Sequence, residues 1–190
     1  MEEQELIRLA KKGDQEAFRS LVEAHQQRVY NLAYRMVGDA EDAADLTQEV
    51  FLSLWRGLGS FRGESALSTW LYRLTSNAAI DLLRRRKRRP VVSLTTEDQE
   101  VLDLPDDSAS PQKELEKREL REAVRQGLDR LSPDHRQVLL LREMEGLSYR
   151  EIGEVLHLEE GTVKSRIARA RLALRDYLLK TGNFSPGGSS

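Results

Sequence analysis

The stretch Leu147 to Arg171, LSYREIGEVLHLEEGTVKSRIARAR, restricts the fold more than any other part of the chain. Ser148 and Glu151 form the Ser-x-x-Glu pattern of a capping box, which predicts a helix from Tyr149. Ile152, Val155 and Leu156 give that helix an apolar face at helical spacing. The pattern pauses at His157-Leu158 and restarts with Val163, Ile167, Ala170 and Leu174. The polar face of the second helix carries Lys164, Arg166, Arg169 and Arg171. Gly153 places a small residue where the two helices would cross closely. A short helix, a tight turn and a second, basic helix are what a reader of the DNA major groove needs. The plainer reading is a helical hairpin with a solvated basic face.

Helical periodicity governs the rest of the chain, and no alternating strand pattern competes with it. Leu6, Ile7, Leu9 and Ala10 predict a short helix that stops at Gly13. Asp14 can cap the next helix, along which Phe18, Leu21, Val22, His25, Val29, Leu32, Ala33 and Met36 share one stripe. Gly38 suits a left-handed C-terminal position. Asp39 caps a third helix, with Ala43, Val50, Phe51, Leu54 and Leu58 facing inward. Gly57, Gly59 and Gly63 bracket a loop around Phe61. Ser65 or a neighbour caps a fourth helix that runs to about Arg88 and is ended by Pro90. On it Leu67, Trp70, Leu71, Leu74, Ala78 and Leu82 form an apolar stripe. Arg73, Ser76, Asn77, Ile80 and Arg84 make an adjoining, mostly polar face. Such a face can follow a phosphate backbone and hydrogen-bond bases, or it can simply be solvated.

Charge divides the chain although the net charge is only −2. Arg84 to Arg89 are all basic, whereas Glu97 to Asp107 carries acids and no base. Segregation of this kind points to segments that face different partners. Pro105, Ser108 and Ser110 among those acids mark an exposed linker. After it, Ser110-Pro111 and Ser132-Pro133 each place a cap before a proline at a first helical position. Leu115, Ala123, Val124, Leu128 and Leu131 supply one buried stripe, and Val138, Leu139 and Met144 continue the core until Gly146. The expected fold is all-α: a helical domain over 1–90, a flexible acidic linker over 91–110, and a smaller domain over 111–180 holding the helix-turn-helix. Residues 181–190 are a Gly/Ser-rich, disordered tail. The absence of cysteine excludes disulfides and thiolate metal sites. No apolar run is long enough to cross a membrane, and Glu2, Glu3 and Glu5 are unlike the start of a signal peptide. A cytoplasmic location is expected.

Three segments in order resemble the extracytoplasmic-function group of the bacterial sigma-70 family, over roughly Glu16 to Leu178. Asp42-Ala43-Ala44-Asp45-Leu46-Thr47-Gln48-Glu49-Val50-Phe51 is similar to the part of region 2 that docks on the polymerase clamp. Phe61-Arg62-Gly63-Glu64-Ser65-Ala66-Leu67-Ser68-Thr69-Trp70-Leu71-Tyr72-Arg73 is similar to the part that melts and reads the −10 promoter element. Gly161-Thr162-Val163-Lys164-Ser165-Arg166, with Arg169-Ala170-Arg171, resembles the region 4 helix that reads the −35 element. The larger relatives' region 3 has no counterpart; the acidic linker stands in its place.

The resemblance implies a sigma factor that lends promoter specificity to core RNA polymerase, with 1–90 as region 2 and 111–180 as region 4. Asp42, Asp45, Gln48 and Glu49 would contact the β′ clamp; Asp45, Gln48 and Glu49 share one helix face at i, i+3 and i+4. Ordinary solvated charge is the alternative for them. Phe61, Arg62, Gly63, Glu64, Ser65, Arg73, Asn77 and Arg84 would contact the −10 element, the loop and Asn77 gripping a flipped base. For Phe61 and Trp70 the competing reading is core packing, which the wheel favours for Trp70. Thr162, Lys164, Ser165, Ala168 and Arg169 would face the −35 duplex, and Arg166 and Arg171 its phosphates. Arg169 could pair with a guanine. Two departures from the family pattern stand in the turn: His157, where glycine is frequent, and Glu159-Glu160, where a proline-containing entry is common. The family further implies the β flap as a partner of region 4, a linker directed toward the RNA exit path, an anti-sigma protein that is often membrane-bound, and a free monomer. No cofactor, metal or membrane insertion is implied.

Two other functions compete. A dimeric helix-turn-helix regulator would need a palindromic site and leaves the N-terminal segments unexplained. An enzyme is not expected: His25, His135 and His157 are scattered, and Asp42 with Asp45 is a weak basis for a magnesium site.

Overall fold

The computed structural model describes residues 2–88 and 111–181. The expected linker, Pro90, and the tail beyond Thr181 lie outside the described residues. The first domain comprises α1 (Glu3–Lys11), α2 (Gln15–Val37), α3 (Ala40–Gly57), a 3-10 turn (Leu58–Ser60) and α4 (Leu67–Arg88). The second comprises α5 (Pro111–Asp129), α6 (Pro133–Glu143), α7 (Tyr149–Leu156) and α8 (Glu160–Lys180). Among the described residues there is no strand, and no helix is long and apolar enough to cross a membrane.

Local chemistry sets the boundaries. The Asp14 carboxylate accepts the N–H groups of Glu16 and Ala17, each at 3.0 Å, and starts α2. Gly38 ends α2 at φ 74°, a conformation that costs glycine little. Asp39 then accepts the Asp42 N–H at 2.9 Å. At the head of α4 the Ala66 carbonyl, next to Ser65, accepts the Thr69 N–H at 3.1 Å. Ser132 caps α6 ahead of Pro133.

Packing produces three apolar clusters. One belongs to the first domain and joins Leu21, Val29, Val50, Leu54, Leu67 and Leu71. A small one belongs to the second domain: Leu131, Leu139 and Ala170. The third is shared, bringing Leu32, Met36, Tyr72 and Ile80 against Leu141, Ile152 and Val155. The two domains therefore pack directly, α2 and α4 on one side and α6 and α7 on the other.

Three expectations change. Leu115, expected in the α5 stripe, is 57% exposed, because it precedes the part of α5 that meets α8. Met144, expected in the core, is 48% exposed at the end of α6. On α4, Ser76 and Ile80 are buried, not part of an open polar face, and Ile80 enters the cluster that the two domains share.

Candidate nucleic-acid and protein-binding surfaces

The helix-turn-helix forms as its sequence pattern predicts. The Ser148 hydroxyl accepts the Glu151 N–H at 3.2 Å, and the Ser148 N–H donates to the Glu151 carboxylate at 2.7 Å. The Ser148 backbone N–H foremost, with the Ser148 side chain second, holds the Glu151 carboxyl below its ordinary pKa. The turn places His157 in the left-handed region at φ 54° and ψ 48°, at a cost of about 1–2 kcal/mol for a side chain with a Cβ. The Leu158 N–H offsets part of that cost by donating to the Gly153 carbonyl at 3.0 Å. The reason for Gly153 also becomes clear. A Cβ there would stand 2.6 Å from the Leu158 carbonyl oxygen, so the close approach is to the turn itself more than to the facing helix.

Helix α8 buries Val163, Ile167 and Ala170 and turns Lys164, Ser165, Ala168 and Arg169 to solvent. Thr162 and Arg166 are half-buried. Arg171, expected at phosphate, donates through Nε to Glu143 of α6 at 2.9 Å, which also raises its pKa. Glu159 and Glu160 are exposed at the helix N-terminus, where acids suit the dipole.

In the first domain, the loop before α4 is braced from behind. The Phe61 ring stacks on Trp70, with centroids 5.2 Å apart and planes 4° from parallel. Lys11 of α1 donates to the Phe61 carbonyl and lies 5.7 Å from the ring centre. A Cβ on Gly57 would approach Trp70 to 2.9 Å, so the glycine makes room for this stack. Arg62, Gly63 and Glu64 are left exposed at the tip, with Gly63 at φ 74°, and Ser65 is half-buried. Asn77 and Arg84 are exposed further along α4, while Arg73 is half-buried. Phe61 and Trp70 thus serve packing in this arrangement, and the tip residues and Asn77 are the ones open to a ligand.

On α3, Asp45, Gln48 and Glu49 are exposed on a common face. Asp42 is instead ion-paired with Arg86, whose other amine donates to the Val37 carbonyl at 3.2 Å. One residue of the basic run therefore ties α4 to the start of α3.

Two apolar grooves were not anticipated from the sequence. The first, about 570 Å³, lies between α2 and α3 and is lined by Phe18, Val22, Gln48, Phe51, Leu52 and Trp55. Leu52 is 54% exposed, and Trp55 meets Phe18 edge-on at 4.7 Å. Its signal was the spacing Gln48, Leu52, Trp55, which is i, i+4, i+7 on the outward side of α3. The second, about 360 Å³, lies between α5, α6 and α8 and includes Leu128, Leu139, Met144, Leu174 and Leu178. No described group of three or more His, Asp or Glu side chains is arranged to hold a metal ion.

Comparison with known proteins bears on these surfaces. Residues 21–89 match the family model of sigma-70 region 2, and residues 121–174 match that of sigma-70 region 4. The chain is 42% identical over 177 residues to the RNA polymerase sigma-H factor of Pseudomonas aeruginosa, covering 91% of this chain and 92% of that one. It is 39% identical over 176 residues to the ECF RNA polymerase sigma-E factor of Escherichia coli K12, covering 90% and 92%. Among solved structures, CnrH in complex with the cytosolic domain of CnrY resembles it with a TM-score of 0.67 at 26% identity, covering 92% of this chain and 96% of that one. Bartonella quintana RpoE in complex with the anti-sigma factor NepR gives a TM-score of 0.65 at 25% identity, with 85% and 96% covered.

Proposed function

On the premise that this chain belongs to the sigma-70 family of RNA polymerase sigma factors, in its extracytoplasmic-function group, we propose how its surfaces divide the work of promoter recognition. Residues 1–90 act as region 2, docking on the β′ clamp and opening the −10 element. Residues 91–110 form the acidic linker, and 111–180 act as region 4, reading the −35 element and meeting the β flap. One observation carries this division. Each domain pairs an exposed polar helix face, Asn77 and Arg84 on α4 or Lys164 and Arg169 on α8, with a separate exposed apolar groove. A polar face suits DNA, and an apolar groove rimmed by polar residues suits a protein helix.

The α2–α3 groove extends the clamp surface beyond Asp45, Gln48 and Glu49 to Leu52 and Trp55. Aromatic and aliphatic residues at the centre of an interface carry most of its energy, with charges at the rim steering approach. Asp42 contributes there through its grip on Arg86. The α5–α6–α8 groove receives the flap. Arg62, Gly63, Glu64, Ser65 and Asn77 hold a base taken out of the stack, while Phe61, Trp70 and Lys11 keep the loop in place. Lys164, Ser165, Ala168 and Arg169 face the −35 base edges, and Thr162 and Arg166 lie toward the backbone. Arg171 releases Glu143 when it meets phosphate. Arg73 and Arg84 follow the −10 strand.

The chain performs no catalysis of its own, holds no cofactor and works as a monomer in the cytoplasm until it joins polymerase. An anti-sigma protein controls it by covering the same grooves, a reading supported by the complexed state of the similar solved structures. Transcription in vitro with core polymerase and a library of promoters tests the whole scheme. Transcripts should start from templates that share a −35 and a −10 sequence, and only when both proteins are present. Tight sequence-specific binding to a palindrome by the chain alone would instead identify a dimeric regulator.

A further inference from the structure

One exposed leucine serves neither the core nor either groove. Leu172 of α8 is 50% exposed. Leu52 and Trp55, also exposed, line the first groove, and Met144 and Leu179 line the second. Leu172 lines neither of them and lies outside the three apolar clusters. A single exposed leucine is ordinary on a protein surface. The place of this one on its helix is not. At about 100° per residue, Leu172 stands roughly 20° around the axis from Ser165, between Ala168 and Arg169. The buried Val163, Ile167 and Ala170 lie roughly 140–180° away from it. Leu172 therefore occupies the middle of the open face, two turns beyond Ser165 and directly away from the core.

We propose that Leu172 is a specificity residue of the −35 contact, packing with Ala168 against the 5-methyl group of a thymine in the major groove. The inference rests on the promoter reading above. The charges around the face select DNA as its occupant. From Gly161 to Leu172 the helix carries four basic residues and no acid. Lys164 and Arg169 are exposed beside the apolar pair, and such a surround suits a groove walled by phosphates. The first acid on this face is Asp176, one turn past Leu172, and Arg175 meets it at 3.2 Å. Asp176 sets the end of the stretch that duplex DNA can approach, and Leu172 is the last side chain inside it.

Base edges in the major groove present donors, acceptors and one apolar group, the thymine methyl. The polar side chains of α8 suit the donors and acceptors. Ala168 and Leu172, one turn apart and both exposed, make an apolar strip that suits the methyl. The contact would tell thymine from cytosine, whose ring carries hydrogen at that position. Leu172 follows Arg169 by about 4.5 Å along the helix, and base pairs rise by about 3.4 Å. Its thymine is therefore expected about one or two base pairs from the guanine proposed for Arg169.

Deoxyuridine differs from thymidine only by that methyl group, which allows a test in the complete polymerase complex. The −35 element selected with core polymerase from a promoter library is rebuilt with each thymine replaced in turn by deoxyuridine, on either strand. Binding is measured by competition. With the unmodified protein, one replacement should weaken binding about fourfold, the effect of exposing one methyl-sized group. Leu172→Ala should bind the two forms of that position equally. Leu172→Met, which keeps an apolar side chain of similar volume, should retain the preference. Leu172 faces away from the core, so both variants should keep the thermal midpoint of the unmodified protein. An element with no thymine near that guanine, a flat deoxyuridine series, or a preference that survives in Leu172→Ala overturns the inference and leaves promoter reading intact. A preference lost in Leu172→Met as well counts against apolar packing and against the proposal. Failure of the complex to select any −35 element overturns the promoter reading and this inference with it.

Discussion

Helices α4 and α8 both carry arginine beside small polar side chains on one face, yet one face is half covered and the other is open. The difference lies in what their apolar sides demand. Helix α8 has a narrow stripe, with Ala170 in the cluster of the second domain and Val163 and Ile167 at the second-domain side of the shared one, packed by α5, α6 and α7. Helix α4 has two. Leu67 and Leu71 enter the cluster of the first domain, while Tyr72, Ala79 and Ile80 enter the shared cluster. A helix apolar over so much of its circumference cannot be satisfied by one neighbour. Its polar groups next to the second stripe, Arg73 and Ser76, are then covered along with it. Amphipathic pattern alone does not tell an open functional face from one that a second domain borrows.

Substitutions can break this contrast or sharpen it. Gly153→Ala has the largest expected effect, because the new methyl group meets backbone that cannot turn aside. It should destabilise the second domain by about 3 kcal/mol and abolish −35 binding, while the first domain keeps its unfolding midpoint. Calorimetry that resolves the two transitions checks this; equal loss in both would mean that the shared cluster makes the domains one cooperative unit. Arg169→Ala comes next. Loss of a bidentate guanine contact should remove about 2 kcal/mol of base discrimination at one −35 position, read by competition among duplexes with each base there. Unchanged preference would take Arg169 out of the reading face. Asn77→Ala should slow open-complex formation about tenfold, close to 1.4 kcal/mol, with polymerase affinity unaltered. Permanganate footprints report the melted bases, and a normal footprint would leave α4 without its exposed reader.

The smallest effect belongs to the cap of α7. Ser148→Ala should cost about 1 kcal/mol. Its pH dependence has a defined sign. The Glu151 carboxyl is held below its ordinary pKa in the folded chain by the Ser148 bonds. Its contribution is therefore complete above the unfolded value and disappears as pH falls through the lower, folded one. Glu151→Gln should flatten that part of the acid-stability profile, whereas Ser148→Ala, which keeps the backbone N–H, should only reduce it, measured by denaturant titration at a series of acidic pH values.

Much of the fold was legible because it is written in local rules. Asp14, Gly38, Asp39, Ser132 and the Ser148–Glu151 box each act within a few residues of themselves, and each does in the structure what its position predicts. The buried stripes of α2 and α3 were legible for the same reason. What could not be read depends on residues distant in sequence. Nothing near Arg136 announces that it will donate to Met36, a hundred positions away. Nothing near Asp42 says that Arg86 will claim it. The apolar spacing of Leu52 and Trp55 is masked in the sequence by the charged residues that share the outer side of α3. His157 shows the opposite limit. Its left-handed conformation goes against the residue's preference, and the turn imposes it because Gly153 and Leu158 close around it.

The length of α8 carries one more consequence. Its first turns hold Lys164 and Arg169, and its last turns, Leu174 and Leu178, form a wall of the second groove. A single uninterrupted helix of 21 residues joins them, spanning about 31 Å at 1.5 Å per residue. In the proposed division of surfaces, with DNA at one end and polymerase at the other, α8 becomes a gauge. It fixes how far the −35 duplex stands from the enzyme surface, and a residue inserted in its middle would rotate the reading face by about 100° relative to the groove.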